Sequence, residues 1–138
     1  MEVEFYRSLP NDITVHTSHI HRSNQDITPE AMGQTADNAV HAAASLIQAE
    51  LALIVHGHTA SSYVGGPEGD ADLVRRIEAA GGVPAMTAAD AAVRCLRSLG
   101  AHRIWVAAPY PHATTQFAAD FLTAHGFEIC SVESLVRS

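Results

Sequence analysis

The sequence predicts an α/β domain in which a doubly wound parallel sheet is flanked by helices. Three observations carry that expectation. The chain has 138 residues, of which 47% are hydrophobic and 17% charged. That is enough for one compact core and too apolar for a disordered segment. Two short apolar runs, 51–55 and 103–108, read as strands buried on both faces of a parallel sheet. Stretches with helical spacing lie between and after them, closed by glycine at 81–82, 100 and 126. Strands alternating with helices at these intervals make βαβ units.

Taken in order, residues 12–20 alternate Ile13 and Val15 with polar positions, which predicts a strand exposed on one side. Thr28-Pro29-Glu30 is a helix start, with Thr as N-cap and Pro at the first helical position. Ala39, Ala42, Ala43, Leu46 and Ile47 give that helix an apolar face and carry it towards Glu50. After the strand at 51–55, residues 56–69 form a loop rich in Gly, Ser and Thr. A second helix is expected over 70–80, ended by Gly81-Gly82. A short strand at 83–86 and a third helix at 87–99, capped by Thr87, follow. The strand at 103–108 leads into Pro109-Tyr110-Pro111, then a fourth helix at 113–125 and a last strand at 127–132. The sequence holds no residue-level repeat. Its one expected boundary falls near Leu99-Gly100, dividing the chain into 1–99 and 100–138.

Net charge is −7 with a pI near 5.6, and every basic residue is an arginine. With no basic patch, nucleic acid and anionic membrane surfaces are not expected partners. The longest apolar run is too short to cross a bilayer. Residues 1–4 are acidic and lack a signal-peptide layout, so a cytoplasmic location is expected. Cys95 and Cys130 are too few for a disulfide framework and have no metal-like or redox-like spacing. Both read as packed, in the third helix and the last strand.

Ligands of such sheets bind beyond the carboxyl ends of the strands. Two loops qualify. Residues 56–66, from His56-Gly57-His58-Thr59 through Ser61-Ser62 to Gly66, offer imidazoles, hydroxyls and glycine amides that suit a carboxylate. A packed turn whose Ser and Thr cap the next helix explains the same residues. Tyr110 is able to donate its phenol to a bound oxyanion, or is a half-buried tyrosine in a proline-bracketed turn. His16, His19 and His21, with His56 and His58, raise a metal hypothesis, but no acidic residue stands in the spacing of a His-Glu-x-x-His site. Ser61 and Ser62 lack a Gly-x-Ser-x-Gly elbow. His41, His102 and His125 read as solvated.

Residues 54–66, then Ile77-Glu78-Ala79-Ala80-Gly81-Gly82-Val83-Pro84 and Thr87-Ala88-Ala89-Asp90-Ala91, resemble the maleate cis-trans isomerase and arylmalonate decarboxylase branch of the Asp/Glu racemase superfamily. The segment from Leu96 to Ile104, Ala107-Ala108-Pro109-Tyr110-Pro111, and the stretch from Phe117 to Glu128 continue the resemblance, as do Phe5-Tyr6 and Leu9-Pro10. The resemblance implies two similar α/β halves closing over a small carboxylate or dicarboxylate, and cofactor-free chemistry at the adjacent carbon with no metal. It implies that Thr59 binds carboxylate and that Tyr110 donates to the same oxyanion cluster. His58 stands where racemases and isomerases carry the first catalytic cysteine and decarboxylases carry glycine; Ala60 stands where a serine is common. By the same resemblance the family's first strand is expected before Phe5, and the strand with its second cysteine after Ser138. Cys95 and Cys130 match neither catalytic position, and both chain ends look cut.

Three readings follow. The first is an isomerase, racemase or decarboxylase with His58 as acid/base and with Thr59, Ser61, Ser62 and Tyr110 binding substrate. The second is a non-catalytic remnant that binds carboxylates. The third is a metal-dependent enzyme built on the histidines. Strand edges left unpaired by the missing strands favour self-association.

Overall fold

The computed structural model describes residues 2–22 and 28–136. Helix α1 (Glu2–Ser8) opens the chain. Residues 9–22 then run without regular secondary structure, so the strand expected at 12–20 is absent. Alternation gives a segment two faces, but only a pairing neighbour makes it a strand, and here none pairs. The segment is instead pinned by side chains. The Tyr6 phenol donates to the Val15 carbonyl (2.9 Å), Ser18 shares a hydrogen bond with Ser45 (2.9 Å), and Asn38 donates to the His21 carbonyl (2.8 Å).

Helix α2 (Pro29–Ala44) starts where Thr28 accepts from the Ala31 amide. It stops short of Glu50. A 3-10 turn at Ile47–Ala49 follows, and Glu50 takes a left-handed conformation (φ 49°) that turns the chain into β1 (Ile54–His56). The expected loop at 56–69 is largely helical, holding α3 (Thr59–Val64) and the start of α4 (Gly66–Gly81). Gly82, left-handed at φ 72°, ends α4. Strand β2 (Ala85–Thr87), α5 (Ala88–Ser98), β3 (Arg103–Ala108), α6 (His112–Ala124) and β4 (Glu128–Ser134) complete the order.

The strands are parallel and flanked by helices, as expected of this fold class. They do not form one sheet: β1 pairs with β2 and β3 with β4, and no ladder joins the pairs among the described residues. Two clusters make the core. Ala39 and Ala43 of α2, Ile54 of β1, and Leu73 and Ile77 of α4 form the first. Ala89 and Val93 of α5 pack with Phe121, Leu122 and Phe127 in the second, joining residues on either side of Gly100.

Neither apolar run is buried on both faces. Ile54 and His56 point inwards while Val55 is 44% exposed, and Trp105 of β3 is 76% exposed. Helices cover one face of each pair and leave the alternate residues out. Cys95 and Cys130 are likewise exposed and free rather than packed. In α5 the inward stripe is Ala89 and Val93, and Cys95 lies about 200° round the helix from Val93.

Candidate active site

The chain folds its two expected ligand loops together at the carboxyl ends of β1 and β3. Residues 57 and 58 lead from β1 into α3, and the short helix sets Thr59, Ser61 and Ser62 in one turn. Pro109 to Pro111 lead from β3 into α6. The Thr59 hydroxyl thereby meets the Tyr110 phenol at 3.1 Å, although 51 positions separate them. Both residues are half-buried. Tyr110 is held from behind, since Ser134 at the end of β4 (2.5 Å) and Thr115 in α6 (3.2 Å) both donate to its carbonyl.

His58 is the N-cap of α3, an unusual choice of residue: its Nδ1 accepts from the Ser61 amide at 3.4 Å. The Ser61 hydroxyl lies 3.2 Å from the same Nδ1, 2.9 Å from the His58 carbonyl, and 2.8 Å from Nε2 of His56. One buried hydroxyl therefore touches both imidazoles. Burial, then the proximity of His58, lowers the pKa of His56 from 6.5 to about 4, so His56 is neutral at pH 7. His58 is also lowered, by burial first and then by the positive charge of Arg22.

Of the residues expected to bind substrate, Thr59 and Tyr110 are brought together. Ser61 is buried with its hydroxyl committed to the histidines, and Ser62 is 1% exposed. The Ser62 Oγ and the Asp70 Oδ1 are the buried polar atoms without a hydrogen-bond partner among the described residues. Asp70 accepts from the Thr87 hydroxyl at 2.9 Å. Burial raises its carboxyl above the ordinary value, while the neighbouring Ser62 and Thr87 hydroxyls oppose that rise. Burial, followed by the nearness of Tyr110 and Asp70, pushes the Tyr63 phenol up.

In the sequence His56 is marked only as an imidazole of the first loop and a metal candidate, and Tyr63, Asp70 and Arg22 are given no role. His56 and Asp70 each carry a further signal. His56 falls at the inward register of Ile54, and Asp70 falls on the Leu73/Ile77 stripe of α4, where a charged residue is out of place.

The histidines do not assemble a metal centre. Among the described residues no group of three or more His, Cys, Asp or Glu side chains is placed to hold a metal ion. His41 and His102 are exposed as expected, whereas His125 is half-buried with its ring 4.6 Å from that of Phe121.

Two cavities flank the loop from behind. One of about 80 Å³ is lined by Ser18, Ile20, Ile54, His56 and Gly57. Another of about 280 Å³ lies between α2, α3 and α4, lined in part by Gly33, Ser61, Gly65 and Arg76. Neither is lined by Thr59 or Tyr110.

A family model described as arylmalonate decarboxylase matches residues 19–137. Among solved structures, the chain is similar to a cysteine-to-alanine variant of the maleate isomerase Iso from Pseudomonas putida S16 with maleate. That match has 22% identity and TM-score 0.74, over 80% of this chain and 46% of that one. It is similar to a glycine-to-cysteine mutant of arylmalonate decarboxylase in a sulfate-associated form, at 25% identity and TM-score 0.72, over 83% and 49%. It is also similar to a cysteine-to-serine mutant of the Nocardia farcinica maleate cis-trans isomerase with a covalently bound succinylcysteine intermediate (23%, TM-score 0.73, 80% and 47%). No curated protein sequence matches. The chain spans about half the length of the solved structures it resembles.

Proposed function

The chain belongs to the arylmalonate decarboxylase family, and from that premise we propose that it acts, without a cofactor, at a carbon adjacent to the carboxylate of a small acid or dicarboxylate. The observation that carries the reading is the pair of hydroxyls from Thr59 and Tyr110, 3.1 Å apart at the ends of two strands. Two hydroxyls meeting at one point, one donating to the other, leave a positioned O–H that suits a carboxylate whose charge spreads into an enediolate during reaction. His58, three residues from Ser61 and one from Thr59, is the acid/base. Its lowered pKa keeps it neutral near pH 7, as an imidazole able to give or take a proton. Ser61 and Ser62 act from behind the donor pair, fixing the loop that presents it.

Maleate lies in the related P. putida structure, and a succinyl group is attached to cysteine in the N. farcinica one. Dicarboxylates of that size are therefore the first substrates to try. We further propose that residues 1–99 and 100–138 correspond to one half and the opening of a second half of the family's architecture, with self-association through free strand edges. A cytoplasmic location fits the two exposed free cysteines. The net charge of −7 speaks against nucleic acid. No helix among the described residues is long and apolar enough to cross a membrane.

The test is proton NMR of the purified chain in D₂O with maleate, phenylmalonate, aspartate and glutamate. Maleate turning to fumarate, CO₂ loss from phenylmalonate, or deuterium entering an α-carbon is the expected result, abolished in His58→Ala. A folded chain that leaves all four acids unchanged overturns the catalytic reading and leaves carboxylate binding.

A further inference from the structure

The mechanism so far uses His58 but not the buried histidine behind it. We infer that Ser61 and His56 form a proton relay that recharges His58 from the side of the molecule opposite the substrate. The inference rests on the assignment of His58 as the acid.

The geometry is a continuous hydrogen-bonded line. His56 Nε2, Ser61 Oγ and His58 Nδ1 are linked at 2.8 and 3.2 Å. The Ser61 amide donates to His58 Nδ1, which fixes that nitrogen as the acceptor and puts the proton of the neutral ring on Nε2. An imidazole in this form cannot release its Nε2 proton unless another arrives at Nδ1, because imidazolate is far too basic. The Ser61 hydroxyl donates to the His58 carbonyl at 2.9 Å and lies 3.2 Å from Nδ1, so it delivers a proton there by turning from that carbonyl, with His56 directly behind it. His56 is 4% exposed and lines the cavity of about 80 Å³ beside Ser18 and Gly57. That cavity is large enough for water, which sets a proton source beside the ring.

The transfer balances as follows. A solvent proton adds to His56 Nδ1, and the His56 Nε2 proton passes to Ser61 Oγ. The Ser61 hydroxyl proton passes to His58 Nδ1, and the His58 Nε2 proton goes to the carbanionic carbon. Both rings end neutral with their tautomers exchanged, and the substrate gains the proton that solvent lost. The reverse sequence removes a proton from a substrate carbon. Ser61 and His56 are positioning residues in this scheme, acting only through His58.

The experiment combines ¹⁵N spectra of the imidazole rings with turnover of maleate and phenylmalonate by the full chain, its Ser61→Ala variant and its Ser61→Thr variant. The expected spectrum has the neutral His58 proton on Nε2, and solvent exchange of the ring protons that slows in Ser61→Ala. Turnover in Ser61→Ala should fall on the order of 10²-fold in kcat with KM little changed, and Ser61→Thr should restore it. A wild-type spectrum with the His58 proton on Nδ1 overturns the relay whatever the variants do, even if Ser61→Ala fails to fold. So does full kcat in Ser61→Ala. If the wild-type chain turns over neither acid, the assignment of His58 as acid falls, and the ring-proton exchange decides the relay separately: unchanged exchange in Ser61→Ala sinks it too.

Discussion

Thr87→Val is the substitution whose cost the structure lets us work out most fully. Thr87 is completely buried at the end of β2, and its hydroxyl does two things at once. It accepts from the Asp90 amide at 3.0 Å as the N-cap of α5, and it donates to Asp70 Oδ2 at 2.9 Å. Valine keeps the shape and removes only the hydroxyl. A lost N-cap costs about 1 kcal/mol. A lost hydrogen bond to a buried charged group costs about 2 kcal/mol. That figure applies because Asp70 Oδ1 has no hydrogen-bond partner among the described residues, so the variant leaves only the neighbouring Ser62 hydroxyl to offset the carboxyl's burial. The total is about 3 kcal/mol, a large share of the stability of a chain this size. With a urea m-value of about 2 kcal/mol per molar, the midpoint read by circular dichroism should fall by about 1.5 M. Thr87→Ser keeps the hydroxyl and should recover most of the loss. A Thr87→Val shift below about 0.3 M, or a Thr87→Ser loss as large, would refute the claim that the hydroxyl rather than the methyl ties α5 to α4.

Two predictions concern pH and run in opposite directions. Asp70 is held above its ordinary value, so the folded chain binds that proton more tightly than the unfolded chain. Its contribution to stability is greatest at low pH and declines as pH rises through the folded value, and urea midpoints of Asp70→Asn should lack that decline. His56 is lowered from 6.5 to about 4, so its contribution is complete above pH 6.5 and is lost as pH falls towards 4. The loss amounts to about 3 kcal/mol, and His56→Gln should remove this limb of the stability–pH curve. At the donor pair, Tyr110→Phe should lower turnover of an accepted acid by about 10²-fold while leaving the melting temperature nearly unchanged. An unaltered rate would place the oxyanion elsewhere.

The parts of the fold written in local signals were readable in advance. Thr28 and Thr87 cap helices where the sequence places caps, and Gly82 and Gly126 end them with positive φ. These depend on one or two residues and their immediate backbone. What depended on distant partners was not readable. Residues 12–20 have the alternation of a strand but no neighbour to pair with. Val55 and Trp105 sit in apolar runs that resemble two-sided burial, yet only one side of each strand pair is covered. At the site, Tyr110 is marked by its loop at a strand end and Thr59 and His58 by the family resemblance, and the fold brings Thr59 and Tyr110 within 3.1 Å. His56 is legible as a loop imidazole and a metal candidate, because a histidine ending a strand suits either. Its meaning lies in a hydroxyl five residues on, turned towards it by a short helix that composition alone reads as loop.

Trp105 is the only tryptophan in the chain, and it stands almost fully out of β3 on the face away from α6. Its indole therefore gives the protein a single built-in optical probe, and one aimed at a particular place. In the isolated chain it should emit at long wavelength and be quenched freely by acrylamide. Anything that seats on that side of the β3–β4 pair will shift the emission to the blue and shield it. A small acid bound at Thr59 and Tyr110 should leave it almost untouched. Binding and assembly, which absorbance or calorimetry would mix together, are thus separated by the colour of one residue.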